Sequence, residues 1–248
     1  MFDKKKKIRE YFETPEPKFP TATFVIGIFL ILIGTSNKDT TLFLLIGLVV
    51  LVASLFNYSN AKKRYEALPS DQQIDLWLEE ELTRIMDTNA LDKLGLDRDE
   101  LVKSSLIIPG PIYWETDGVP SGDIRQKSGR DKFFRYSILN IEIFIFTAHY
   151  LANYGCVYNF LKNTTINEHT NEFFYKDVVS VRTDTQSSAY TLIGGEKLEH
   201  SQTFQLNLSG DQVSVVINDK KLKSNSKMTS RVDEAVQSIR AMLRDKKS

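Results

Sequence analysis

The chain has 248 residues, with 32 Lys and Arg balancing 32 Asp and Glu, one cysteine and three histidines. The lone Cys156 excludes an internal disulfide framework and Cys-rich zinc sites, and the scattered His149, His169 and His200 outline no metal centre. The net charge is zero, and neither a cofactor nor a nucleic-acid partner is expected.

Apolar residues concentrate between Phe19 and Tyr58, interrupted only by the polar run from Thr35 to Thr40. That outlines two membrane-spanning helices joined by a tight turn, about Pro20 to Thr35 and Thr41 to Asn57. Each is roughly 25 Å long at 1.5 Å per residue, short for a bilayer. Phe24 to Ile33 and Leu42 to Phe56 are apolar on every face, which argues against a hairpin buried in a soluble core. A second span follows at once and no small-x-small cleavage site intervenes, which argues against a signal peptide.

Lys4 to Lys7, Arg9 and Lys18 precede the first span, and Lys62, Lys63 and Arg64 follow the second. The positive-inside bias then puts both termini in the cytoplasm of a multi-pass inner-membrane protein, with Lys62, Lys63 and Arg64 at the lipid surface. Gly27 and Gly34, then Gly47 and Ser54, place small residues on one face of each span. The two faces either pack within one hairpin or leave one free for oligomerisation. The spans hold no charged residue, which argues against a proton relay or ion-coupled transporter.

A basic helix from Asn60 to Ala67 is stopped by Pro69, and Ser70-x-x-Gln73 opens the next helix. Ile74, Trp77, Leu78, Leu82 and Ile85 form its apolar stripe, with Glu79, Glu80 and Glu81 largely off it. Trp77 and Leu82 are the candidate partner-docking residues. A short helix ends near Gly95 and another begins at Asp97. The acids between Asp87 and Glu100 lack the glycine and the ligand spacing of an EF-hand.

From Ser105 the pattern is that of strands. Short candidates flank Pro109-Gly110-Pro111, at Ser105 to Ile108 and Ile112 to Glu115. A polar loop, Asp117 to Asp131, precedes a long strand with Leu139, Ile141, Ile143 and Ile145 on one face and Asn140, Glu142 and Phe144 on the other. Tyr150 to Phe160 is its partner. Glu172 to Arg182 reads as a further strand, with Phe174, Val179 and Val181 in the core. Phe204, Leu206 and Leu208, a turn at Gly210-Asp211, then Val213, Val215 and Ile217 make a hairpin. An amphipathic helix from Ser230 to Arg244 closes the chain, with Val232, Val236, Ile239 and Leu243 as its stripe.

The expected fold is an α+β membrane protein. It has a basic N-terminus (1–19), a transmembrane hairpin (20–58), a helical linker (59–103) and an antiparallel β domain with a C-terminal helix (104–248). The run Phe173 to Val181, the strand Thr203 to Leu208 and the helix Val232 to Leu243 resemble bacterial PH-like (pleckstrin-homology-like) domains. The resemblance implies a bent sheet or barrel plugged by the last helix, on a protein anchored by a short hairpin. Thr185 to His200 departs from it as a lengthened loop.

No Gly-rich phosphate loop and no Gly-x-Ser-x-Gly elbow is present. Glu168, His169 and Glu172 are read as a surface turn rather than a zinc site, and Cys156 as a buried structural thiol. Arg125, Lys127, Arg130, Lys132 and Arg135 form a basic loop, either a contact for an anionic lipid, a nucleotide or an acidic partner, or an ordinary solvated loop. The expected function is non-enzymatic: a membrane-anchored scaffold or sensor that binds a protein partner, forms homo-oligomers, or both. The alternative is an oligomerising, membrane-disrupting effector of the kind used in antiphage defence, triggered through the β domain.

Overall fold

The computed structural model describes residues 2–36, 40–186, 190–191, 197–198, 201–208, 212–219 and 236–245. The chain divides into two compact units, Arg9–Pro69 and Met1–Ile8 with Ser70–Ser248. The fold is α+β, with antiparallel sheets and a C-terminal helix. The expected linker, 59–103, is therefore shared between the two units.

Helix α1 (Phe2–Glu13) is followed by an extended stretch, and the apolar block then forms α2 (Thr21–Ser36) and α3 (Thr41–Glu66). α3 runs without a break from the apolar segment through Lys62, Lys63 and Arg64. It is long and apolar enough to cross a membrane; α2 is a shorter apolar helix of 16 residues. The two pack against each other, and Thr40 Oγ1 donates to Ile33 O, serving a carbonyl at the end of α2.

In the second unit, Ser70 Oγ accepts from Gln73 N to start α4 (Asp71–Arg84). α4 passes directly into a π-helical turn, Ile85–Ala90, and then α5 (Leu91–Leu94), ended by Gly95 at φ 64°. The expected separate short helix is thus a continuation of α4. Asp97 and Glu100 form a reciprocal capping box.

The strands follow in order: β1 (Leu106–Ile112), β2 (Gln126–Ser128), β3 (Phe134–Tyr136), β4 (Ile138–Phe146), β5 (Tyr150–Asn159), β6 (Thr164–Phe174), β7 (Val178–Gln186), β8 (Tyr190–Thr191), β9 (Lys197–Leu198), β10 (Ser201–Leu208) and β11 (Gln212–Asp219). One antiparallel sheet has the order β1-β4-β5-β6 and another β11-β10-β7, while β2-β3 and β8-β9 are small hairpins. β11 also lies against β1, so the two main sheets enclose a shared core. The described part of the C-terminal helix, α6, is 236–245. Its Val236, Ile239 and Met242 join Ile108, Phe144, Phe204 and Leu206 in that core.

Two expectations need correction. Pro109-Gly110-Pro111 does not separate two strands but lies within β1. Among the described residues β1 is hydrogen-bonded to β4 alone, so both prolines can turn their donor-less nitrogens to the other edge. Glu172 to Arg182 is not one strand: the turn Tyr175–Asp177 divides β6 from β7, leaving Phe174 and Val179 exposed and Val178 and Val181 buried. β4 is covered on both faces, and Glu142 is buried. The β10–β11 alternation stands for Phe204, Leu206, Leu208, Val213 and Val215. The Gly210-Asp211 turn, the Ile217 side chain, most of the 185–200 loop, and Ser230 and Val232 lie outside the described residues.

Candidate functional site

The α2–α3 pair brings the small residues together. A Cβ on Gly47 would stand 2.7 Å from the Gly27 carbonyl oxygen, and one on Gly27 2.8 Å from the Leu51 side chain. A Cβ on Gly34 would run into the Leu44 backbone. Ser54 Oγ donates to Thr23 Oγ1 at 3.2 Å. All four small residues therefore serve the contact between α2 and α3. The second possibility, a face left over for clustering, loses the residues it rested on. The outward side chains are large and apolar: Val25, Phe29 and Leu32 on α2, and Leu42, Val49, Val52 and Phe56 on α3 are all exposed. At one end Phe19 meets Phe24 and Tyr58 edge-on, with ring centroids 5.2 and 5.3 Å away. Lys62, Lys63 and Arg64 are exposed on the last turns of α3, with a long Lys62–Glu66 pair at 3.9 Å.

The basic loop does not form one cationic patch. Arg135 on β3 is only 7% exposed, and its guanidinium is clasped by two carboxylates. Asp75 takes Nε and Nη2 at 2.8 Å each; Asp131 takes Nη1 at 2.9 Å and Nη2 at 2.7 Å. Asp71, in the first turn of α4, accepts the Arg130 backbone N–H at 2.6 Å. A side chain at Gly129 would collide with this cluster. Arg135 is thus a structural clamp from β3 to α4, which corrects its assignment to an anionic ligand. Arg130 and Lys132 are exposed and Arg125 and Lys127 half-buried, with Lys132 at φ 66° in the turn.

Leu82 is 1% exposed and so is part of the core, not a docking residue. Trp77 is half-buried, with Lys4 Nζ 6.0 Å from its ring centroid. Lys4 also pairs with Glu80 at 2.9 Å and Glu81 at 3.0 Å, so this lysine serves α4 rather than lipid. Glu81 is buried, not on a solvated face, and is held by Arg84 at 2.8 Å. Arg84 reaches Asn163 at 3.0 Å, and Tyr158 reaches it at 2.6 Å. A cavity of about 20 Å³, room for one water, lies among Lys4, Ile8, Glu81, Tyr158 and Asn163.

Farther along, Asn89 of the π-helical turn contacts Thr165 and Glu168 of β6. Glu168 accepts from the Thr165 hydroxyl, from Lys93 at 2.9 Å and from Tyr154 at 3.0 Å. Those bonds, in that order, pull its carboxyl down to about 2. The expected surface turn at Glu168, His169 and Glu172 is therefore part of β6. Sequence reading missed this network because its members lie on α4, α5, β5 and β6.

Cys156 is buried on β5, where burial raises its thiol to about 12, against service as a nucleophile. His149 is exposed in the β4–β5 turn. Among the described residues no group of three or more His, Cys, Asp or Glu is placed to hold a metal.

No protein-family model, no curated protein and no solved structure matches this chain.

Proposed function

We propose that the chain is a non-enzymatic, membrane-anchored binding protein of the cytoplasmic membrane. α2 and α3 are its transmembrane hairpin, and the β unit is a PH-like domain facing the cytoplasm with both termini. The observation that carries this reading is the division of labour on the hairpin. Its small residues are spent on the α2–α3 contact, while large apolar side chains cover the outside. Such an exterior suits hydrocarbon and is costly in water. The aromatic cluster of Phe19, Phe24 and Tyr58, next in sequence to Lys18 and Lys62, has the composition of a membrane–water interface.

The PH-like reading is supported by a four-stranded and a three-stranded antiparallel sheet followed by a helix that enters their common core. The binding reading rests on how polar side chains are used: Arg135, Glu81, Arg84 and Glu168 are all engaged in holding α4 and α5 to the sheet. The test is membrane association of the full chain. Wild type stays in the membrane pellet through an alkaline carbonate wash, and Val49→Lys with Val52→Lys releases it to the supernatant. A wild-type chain washed free by carbonate would refute the anchor. Purification in mild detergent then tests binding: a discrete complex with a second protein supports it, and a lone monomer counts against it.

A further inference from the structure

The interior face of the four-stranded sheet carries two apolar clusters. One contains Ile108, Phe144, Phe146 and Leu151; the other contains Ile112, Ile138 and Val157. Between them lies a polar band. Its centre is Glu142 on β4, whose side chain is 4% exposed. Glu142, Gly155 and His169 are directly opposite one another on β4, β5 and β6. The middle position is glycine, and a Cβ there would displace the half-exposed His169 ring and lie 2.7 Å from Glu142 Oε2. The missing side chain lets the imidazole reach across a whole strand, placing Nε2 3.6 Å from Glu142 Oε1.

Two amides complete the band. Asn171 Nδ2 donates to Asn153 Oδ1 at 3.4 Å, and Asn153 Nδ2 donates to Glu142 Oε2 at 2.9 Å. β6 is an edge strand, and its ladder to β5 is already broken by a bulge beside this site, with Asn167 at φ 52°. On the other face of β6, Glu168 is tied to Lys93 and Tyr154. Beyond it, the stretch to Phe174 has β5 as its only strand partner among the described residues.

We propose that Glu142, Gly155 and His169 form a proton-controlled latch. While Glu142 is neutral, the stretch of β6 from His169 to Phe174 is held against β5. Once it ionises, the buried carboxylate is left between two apolar clusters and the stretch detaches. Detachment would uncover Phe173, which is packed against the main core.

Among the described residues, the titratable groups that act on Glu142 are His169 from β6 and the Cys156 thiol from β5, while β1 presents Ile108 opposite it. Burial raises the Glu142 carboxyl above its ordinary 4.5, against the smaller opposing effects of Asn153 and His169. A raised acid leaves stability intact below 4.5 and removes it as pH rises through the folded value, so release belongs to the alkaline side.

The test is amide hydrogen exchange of the full chain in detergent, corrected for intrinsic rates, at about pH 5 and about pH 8. In wild type the amides from Thr170 to Phe174 lose about tenfold in protection at the higher pH. In Glu142→Gln they keep it, because a neutral amide can take the same bonds. Gly155→Ala exposes the stretch at both values. Equal protection of wild type at the two values would overturn the latch. So would an unchanged pH response in Glu142→Gln or, should that variant fail to fold, in Glu142→Met.

Discussion

Arg135 and Glu168 are the two residues whose roles depend most on partners distant in sequence. Arg135 sits among Asp71, Asp75 and Asp131, so its removal leaves three carboxylates facing one another. Arg135→Met is expected to lower stability by about 3 kcal/mol, because breaking one side of a buried ion cluster strands the other. Denaturant unfolding followed by the fluorescence of Trp77 and Trp114 measures it; an unchanged midpoint would show that the clamp carries no stability. Glu168 has a depressed carboxyl, at about 2 against an ordinary 4.5. Its contribution is present above 4.5 and is lost as pH falls through about 2, the opposite sign to Glu142. The stability gap between wild type and Glu168→Gln should therefore narrow on acidification, as pH-dependent thermal melts would show. A gap that stays constant contradicts the assigned bonds. At this scale the sequence displays charge but not its pairing. The five cations from Arg125 to Arg135 stand out as a run, while Asp71 and Asp75, which absorb Arg135, lie about 60 positions away.

Elements were legible where a single periodicity ruled. Phe204, Leu206 and Leu208 alternate with polar residues, and they are buried on one side of β10. The Ser70 cap was visible because its acceptor and donor are three residues apart. The misreadings share a physical cause: an element ended or continued without its usual punctuation. Tyr175-Lys176-Asp177 makes a corner with no glycine or proline, so Glu172 to Arg182 read as one continuous strand. Pro109 and Pro111 looked like a break because sequence does not show that β1 is an edge. The hairpin follows the same logic from the other side. Its glycines showed that a close contact exists, and packing showed with what. Gly34→Leu drives a side chain into the Leu44 backbone and should cost about 1–3 kcal/mol or more through overpacking. A detergent-solubilised variant should melt earlier than wild type. If it melts identically but fails to oligomerise, the small residues serve another chain after all.

For the whole molecule, the account joins two physically different units. One turns large apolar side chains outward; the other buries its apolar side chains and spends its charges on internal pairs. Membrane topology is therefore the central claim of the proposed function. It is tested most directly by single cysteines in a Cys156→Ser background, one at Asp39 between α2 and α3 and one at Lys6. They are labelled with a membrane-impermeant maleimide before and after lysis of intact cells. The account predicts that the Asp39 position reacts in intact cells and the Lys6 position only after lysis. Labelling of both positions only after lysis, in protein that alkaline carbonate removes from the membrane, would contradict it.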